Sequence, residues 1–377
     1  MLSAMDVNQP LTLLGGLTAA QFMKRHWQKK PLLVRQAIPG LKPLLSRSEL
    51  FALASQDGVE SRLIARTDEW TFRKGPLTRR ALPPLTQPDW TLLVQGVDLH
   101  DERVHALLQQ FRFVPDARLD DVMISYASPG GGVGPHFDSY DVFLIQVHGQ
   151  RRWRIGQQKD LSLVEGLPLK ILSNFTPQEE YVLDPGDMLY LPPRWAHDGV
   201  AVGECMTYSV GFRQPSRGEV ARELLERLAE EATDMVGDAP YRDPGQAATT
   251  NPAEVPAAMR DFARDALSRA LQDPDLLAML MGEWLTEPKP DVWFEPAAQG
   301  VHANTGVSLD RRTRMMYDEH HVFINGEGFA ASGRDAQAMR LLADQRALDQ
   351  RAVQKLSHDA QELLAQWIEA GWVHRAE

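Results

Sequence analysis

The chain has 377 residues, of which 43% are hydrophobic and 24% are charged, and its formal net charge is −11. This length exceeds the size at which one hydrophobic core usually stops growing, so we expect two or three domains. The composition is that of an ordinary globular protein, and the absence of a run of about 18 apolar residues excludes a membrane span. One cysteine, Cys205, excludes an intramolecular disulfide.

The excess of acidic residues is concentrated in the second half of the chain. Residues 1–216 are balanced, whereas 217–290 carry 8 basic and 15 acidic side chains and 291–377 carry 9 and 13. Nonspecific DNA binding needs an excess of Lys and Arg, so we expect no direct DNA contact. An acidic surface could attract a basic protein partner or could simply keep the chain soluble. The N-terminus lacks the pattern of a secretory signal, and we expect a cytoplasmic protein.

The first 216 residues predict a mainly β domain. Near the start, the sequence predicts a helix at 22–27 and a short strand at 31–34. From residue 121 onward, short apolar segments alternate with Gly and Pro turns, which is typical of a sandwich or jelly roll. The predicted strands of this region cover 121–126, 141–147, 151–155, 188–191 and 206–210.

The composition becomes helical at residue 217. Apolar residues recur at helical spacing from Val220 to Leu228, a Gly- and Pro-rich stretch follows at 237–256, and a second helical run covers 257–285. Two amphipathic helices without a sheet must bury their apolar faces against the rest of the chain or against a second copy. We therefore expect residues 217–289 to form a helical dimerisation domain, with packing inside one chain as the alternative.

Residues 290–377 predict a small winged-helix-like domain. Strand-like segments at 307–309 and 321–324 precede Asn325-Gly326, which is the strongest short signal for a β-hairpin. Helical stretches at 335–345 and 357–370 follow. Strands and helices mixed within about 85 residues are typical of such a module.

One pattern in the β domain indicates a metal site. In a strand, residues i and i+2 face the same side, so His136 and Asp138 are expected to point into the barrel together. His197 lies at the end of a proline-braced segment and can supply a third ligand. Two histidines and one carboxylate on one face of a metal are the arrangement of non-haem Fe(II) oxygenases, which keep open positions for a cosubstrate and O2.

A second pattern indicates an anion site in the same barrel. In the segment from Gln150 to Arg154, alternation places Arg151 and Trp153 on one face and Arg152 and Arg154 on the other. Because Trp153 is the expected interior residue, Arg151 is interior as well. A buried Arg can clasp a carboxylate with two hydrogen bonds, as the distal carboxylate of a keto-diacid cosubstrate would require.

Three segments carry a resemblance to a known family. They are FMKRHWQKKPLLVRQA at 22–37, GPHFDSYDVFLIQVHGQRRWRIG at 134–156 and DPGDMLYLPPRWAH at 184–197. The chain resembles the JmjC ribosomal oxygenases, in particular the bacterial protein-arginine hydroxylases that act on a large-subunit ribosomal protein of the L-sixteen type. The resemblance implies a double-stranded β-helix (cupin-like JmjC) barrel, a helical dimerisation segment and a C-terminal winged helix.

The resemblance also implies roles for individual residues. It implies that His136, Asp138 and His197 bind Fe(II), that Arg151 binds 2-oxoglutarate, and that O2 is the cosubstrate. Relatives are expected to have a hydroxyl near position 127, where this chain has Ala127. The candidates for that second cosubstrate contact are Tyr126, Ser128 and Ser209.

Three residues beside the ligands, Tyr140, Asp141 and Asp198, are candidates for walls around a substrate arginine. Other functions also remain open at this point. A cupin-type metalloenzyme acting on a small molecule, a JmjC demethylase and a non-catalytic adaptor would each use the same barrel.

Overall fold

The computed structural model describes residues 6–296 and 305–376. The chain divides into two compact units. One comprises the residues up to Gln214 together with Pro290–Trp293, and the other comprises Pro215–Lys289 together with the residues from Phe294 onward. Within the described ranges, no helix is both long and apolar enough to cross a bilayer.

The first unit is mainly β, with three short helices near its start. The helices are α1 (Ala19–Arg25), α2 (Arg47–Leu53) and α3 (Glu102–Gln109). The strands are β1 (Leu32–Val34), β2 (Ser61–Arg66), β3 (Trp70–Lys74), β4 (Trp90–Val94), β5 (Leu119–Ala127), β6 (Val142–His148), β7 (Arg151–Gln157), β8 (Glu179–Leu183), β9 (Met188–Leu191), β10 (Trp195–Ala201) and β11 (Cys205–Phe212).

These strands form two antiparallel sheets. The larger has the order β1-β9-β6-β11-β5-β4-β2-β3, and the smaller has the order β10-β7-β8. Strand β6 is apolar from Val142 to Ile145 because both of its faces are covered there. Val142 and Leu144 pack between the sheets with Trp153, whereas Phe143 and Ile145 belong to the large core on the other face of the larger sheet. The predicted jelly-roll barrel is confirmed.

The second unit begins with three helices and continues with short strands and helices. Its first helices are α4 (Arg217–Val236), α5 (Ala257–Ala270) and α6 (Pro274–Thr286). The remaining elements are β12 (Val307–Leu309), β13 (Met315–Tyr317), β14 (His321–Ile324), β15 (Glu327–Ala330), α7 (Gly333–Gln345), β16 (Ala347–Leu348), α8 (Gln350–Gln354), α9 (His358–Glu369) and β17 (Val373–Arg375).

The predicted helical run at 257–285 is two helices. The Asp273 side chain accepts hydrogen bonds from the backbone N–H groups of Asp275 and Leu276, and Pro274 occupies the first turn. An Asp cap followed by Pro is a strong start signal for a new helix, so the chain breaks between α5 and α6. The prediction of one continuous run was wrong because it gave no weight to this signal.

Helix α6 packs on the β13–β14–β15 sheet of the C-terminal region. The close approach needs Gly282, where an added Cβ would lie 2.3 Å from the Phe323 ring. The predicted hairpin turn is confirmed, since Asn325 and Gly326 both have positive φ angles and connect β14 to β15. The N–H of Gly326 also donates to Thr286 Oγ1 at 3.2 Å, which ties the turn to the end of α6.

Candidate active site

A glycine-rich loop leads from β5 to His136. An added Cβ on Gly131 would lie 2.3 Å from the Trp90 carbonyl oxygen, and one on Gly132 would lie 2.7 Å from the Gly199 carbonyl oxygen. The loop therefore passes between β4 and β10 at a spacing that only glycine permits. This passage delivers His136 to the barrel opening.

His136, Asp138 and His197 come together at that opening. One potential ligand atom from each residue lies within 4.8 Å of the other two. Asp138 Oδ1 is 4.0 Å from His136 Nε2, and Asp138 Oδ2 is 3.7 Å from His197 Nε2. The backbones of the two histidines are also joined, since each N–H donates to the other's carbonyl, at 3.0 and 2.8 Å. Three nitrogen and oxygen donors thus share one small volume.

Hydrogen bonds fix the tautomers of both imidazoles. His136 Nδ1 lies 2.9 Å from the Gly134 carbonyl oxygen, and His197 Nδ1 lies 3.0 Å from the Trp195 carbonyl oxygen. A carbonyl only accepts, so each Nδ1 carries a proton, which leaves each Nε2 as the nitrogen that can bind a metal. Burial and the neighbouring His136 lower the pKa of His197 to about 4, which keeps it neutral at physiological pH. This is the protonation state that a metal ion requires.

The local backbone differs from the predicted one. His136 forms a single isolated bridge with His197, so the segment from His136 to Asp138 is an extended loop rather than a strand. His197 was expected on a loop and lies instead in β10. One bridge is enough to align the two histidines, and the Asp138 carbonyl accepts from the Arg194 N–H at 2.7 Å.

Arg151 lies on the interior face of β7, as the alternation predicted. Its exposed fraction is 4%, and its Cζ lies 5.4 Å from the centre of the Trp153 ring. Its Nη1 donates to Ser125 Oγ at 3.0 Å and to Thr207 Oγ1 at 3.3 Å, whereas its buried Nε has no partner among the described residues. A buried cation held only by neutral hydroxyls is ready to bind an anion.

A cavity of about 260 Å³ connects these groups. Ser209 lies in its wall on β11, opposite Met123 of β5, so it remains a candidate cosubstrate contact. Residues that sequence analysis did not identify also line it, among them Arg62, Gln95, Met123, Ser125, Leu169 and Lys170.

Tyr126 does not reach this cavity. Its ring packs against Phe51 and Trp90, with centroid distances of 5.1 and 5.2 Å, in the core on the other face of the larger sheet. Neighbouring residues of a strand point to opposite faces, so Ser125 faces the cavity and Tyr126 faces away. Ser128 is also directed elsewhere, since its hydroxyl bonds with the backbone of Trp90. Tyr126 and Ser128 are therefore removed from the candidates for the second cosubstrate contact, and Ser209 remains.

The three candidate walls for a substrate arginine differ in position. Tyr140 lines the cavity and is 42% exposed. Asp141 is buried elsewhere, where it accepts from the Tyr190 hydroxyl at 2.6 Å. Asp198 is buried against Arg154. Of the three, Tyr140 alone is placed to meet a ligand, because the two carboxylates are occupied by structural partners.

The residues present fit a non-haem iron and a keto-diacid. Two imidazoles and one carboxylate are the donor set of the facial triad, and all three residues line the cavity, where a cosubstrate could reach a metal that they would hold. The unpartnered Nε of Arg151 offers the positive charge that a distal carboxylate needs. Both groups are therefore accommodated by the same cavity.

Comparisons with known proteins agree with this geometry. The family described as the JmjC domain matches residues 106–220, and the ROXA-like winged helix matches residues 269–374. The chain is 36% identical over 280 residues to the ribosomal protein uL16 3-hydroxylase of Escherichia coli, covering 73% of each chain.

Solved structures of an E. coli protein, YcfD, resemble the whole chain. One superposes with a TM-score of 0.84 at 30% identity, covering 95% of this chain and 98% of that one. A second, described as a ribosomal oxygenase in complex with cobalt and 2-oxoglutarate, has a TM-score of 0.81 at 29% identity and covers 96% and 99%. The predicted C-terminal winged helix is confirmed by its family match. The chain therefore belongs to the JmjC ribosomal oxygenases.

Proposed function

We propose that this chain is an Fe(II)- and 2-oxoglutarate-dependent oxygenase that hydroxylates an arginine side chain of the large-subunit ribosomal protein uL16. The observation that carries the proposal is the meeting of three metal donors and one buried, carboxylate-free guanidinium in a single cavity. The E. coli relative, named for hydroxylation of uL16, supports the choice of substrate.

Each residue of the site has a proposed task. His136, Asp138 and His197 would hold Fe(II), and Arg151 would bind the distal carboxylate of 2-oxoglutarate. When bound, the iron with 2-oxoglutarate and O2 supplies the oxidant that inserts oxygen into a C–H bond. The protein orients the cosubstrate and excludes water, which the apolar walls Ile64, Leu93 and Leu144 help to achieve.

The position of the Tyr140 ring favours arginine as the substrate residue that enters the cavity. A guanidinium can lie over an aromatic face, and the partial exposure of Tyr140 places its ring where substrate would arrive. Burial, with a smaller contribution from the carboxylates of Asp138 and Asp121, raises the pKa of the Tyr140 hydroxyl, so this side chain keeps its proton and its ring remains available for stacking.

The domain limits are proposed as 1–216 for the oxygenase, 217–289 for dimerisation and 290–377 for the winged helix. Two observations support moving the last boundary to a point before α6. The winged-helix match starts at residue 269, and α6 packs on β14 through Gly282. We also propose action in the cytoplasm, because the proposed substrate is a ribosomal protein.

We propose that the chain forms a homodimer through α4 and α5. Large apolar side chains on these helices are solvent-exposed in one chain, and α5 has no buried residue. The exposed fractions are 55% for Leu225, 43% for Phe262 and 67% for Leu267. Exposed apolar side chains on two adjacent helices favour a protein partner, and a second copy offers the same apolar residues.

Replacing Leu267 by Glu should convert the dimer to a monomer, because a charge at the interface would have to be desolvated. Light scattering during size-exclusion chromatography measures the mass directly. A Gln178→Glu variant, at an exposed position outside α4 and α5, controls for one added negative charge. A wild-type protein that is already a monomer would contradict the proposal.

The experiment that tests the function is mass spectrometry of a uL16 peptide under air. Wild-type protein with Fe(II), ascorbate and 2-oxoglutarate should add one oxygen atom to an arginine-containing peptide. The same peptide with that arginine replaced by Lys should gain none. Succinate formed without peptide oxidation would retain the oxygenase and reject the substrate, whereas loss of a methyl group from a methylated peptide would favour a demethylase.

A further inference from the structure

We infer that Thr207 and Gln146 are positioning residues that hold the Arg151 guanidinium in the orientation that receives the cosubstrate carboxylate. The inference rests on the proposed function and concerns how one end of 2-oxoglutarate is recognised. The three residues lie close together: Thr207 on β11 is the cross-strand neighbour of Gln146 on β6, and its hydroxyl contacts Arg151. All three are buried.

The orientation of the Gln146 amide determines which atoms donate and which accept in this row of hydrogen bonds. Its Nε2 donates to the His148 carbonyl at 2.7 Å and to the Gly149 carbonyl at 3.0 Å. Both partners can only accept, so the amide cannot be turned around without losing two bonds. Gln146 Oε1 is therefore fixed as an acceptor that faces Thr207.

Thr207 transmits this direction to Arg151. Its hydroxyl donates to Gln146 Oε1 at 2.9 Å, and a hydroxyl has one proton. The oxygen can then present only lone pairs to Arg151 Nη1, 3.3 Å away. Gln146 thus makes the Thr207 hydroxyl an acceptor, which is the one role that a guanidinium can use.

On the neighbouring strand β5, the hydroxyl of Ser125 is also an acceptor for Arg151. Its hydroxyl donates to the Thr207 carbonyl at 3.2 Å and accepts from Arg151 Nη1 at 3.0 Å. One terminal nitrogen of Arg151 is consequently held by two acceptors, and Trp153 covers a face of the guanidinium. Arg151 lines the cavity, so the rest of its guanidinium is available to a carboxylate.

Ala127, two residues after Ser125 on β5, adds no hydroxyl to this row of hydrogen bonds. Ala127 packs with Ala201 and Cys205 and offers no hydroxyl to the cosubstrate. The hydroxyls that contact Arg151 are therefore those of Ser125 and Thr207. The row formed by Ser125, Thr207 and Gln146 across β5, β11 and β6 supplies that orientation.

Calorimetry on the full chain, loaded with Fe(II) under nitrogen, tests the inference without turnover. The ligands are 2-oxoglutarate and 2-oxopentanoate, which has the same chain length but lacks the distal carboxylate. We expect Thr207→Val to weaken 2-oxoglutarate binding by about tenfold, the scale of one hydrogen bond to a charged group. Binding of 2-oxopentanoate should be unchanged, and Thr207→Ser should restore the affinity for 2-oxoglutarate.

Gln146→Leu separates positioning from direct contact with the cosubstrate. Without Gln146 the Thr207 proton is free to turn toward Arg151, so 2-oxoglutarate should bind more weakly. When Thr207→Val is already present, Gln146→Leu should cause no further loss of 2-oxoglutarate affinity, because both changes act through the hydrogen bond between Thr207 and Arg151. Additive losses, equal losses for both ligands, or unchanged 2-oxoglutarate binding in Thr207→Val would each overturn the inference. Wild-type protein that binds no 2-oxoglutarate would overturn the proposed function itself.

Discussion

An Asp138→Asn variant should lose iron binding and hydroxylation together. The amide has the shape of the carboxylate but no negative charge, and the imidazole ligands His136 and His197 carry no negative charge that could replace it. A ligand that binds only the folded state raises stability by about 2.7 kcal/mol at 100 times its Kd. Metal should therefore raise the melting temperature of the wild type and leave that of Asp138→Asn unchanged.

His136→Ala should behave in the same way, and it is the safer histidine to replace. Its side chain is 25% exposed, whereas His197 is almost fully buried, so removing His136 leaves a smaller cavity. His148→Ala, which removes an exposed histidine outside the cavity, is the matched control. Iron analysis and the peptide assay provide two independent readouts. Full iron content in Asp138→Asn would show that the metal is held elsewhere.

Arg151→Met should weaken 2-oxoglutarate binding while leaving metal binding intact. Met keeps the apolar contact with Trp153 but removes the buried charge proposed to bind the distal carboxylate. Two charge-assisted hydrogen bonds contribute about 3 kcal/mol together, which corresponds to a loss of about 100-fold in affinity. The measurement is the Kd of 2-oxoglutarate for the Fe(II)-loaded protein under nitrogen.

Two further variants give this prediction its controls. Arg152→Met removes an exposed arginine from the opposite face of β7 and should have no effect. Arg151→Lys should recover part of the affinity, since Lys supplies the charge but not the planar pair of donors. Unchanged 2-oxoglutarate binding in Arg151→Met would reject the assigned role of this residue.

The barrel strands were predictable where both faces are covered. Strands β6 and β9 are apolar along most of their length, so they stand out against the turns that flank them. Strand β3 was not predicted, because it is short, partly exposed and ends in Arg73 and Lys74. Its place in the sheet depends on pairing with β2, which no local pattern encodes.

Within the site, the sequence of one strand does not always show which of its two faces lines the cavity. Arg151 was placed correctly because Trp153 identified the interior face of β7. For β5, Ser125 and Tyr126 are both buried, so hydrophobicity does not separate the cavity from the outer core. The pairing of Ser125 with Thr207 decides the question, and that register becomes visible only in three dimensions.

The order of the larger sheet sets a minimum size for an independently folding oxygenase. The matched JmjC segment, residues 106–220, contains β9, β6, β11 and β5, which are consecutive in the sheet. Strand β1 covers one side of this group and β4, β2 and β3 cover the other, and all four precede residue 106. A fragment cut to the matched segment would expose β9 and β5 as bare sheet edges, which recruit other chains and aggregate. The strands before residue 106 therefore cover the edges of β9 and β5, through which a shorter fragment would associate with other chains.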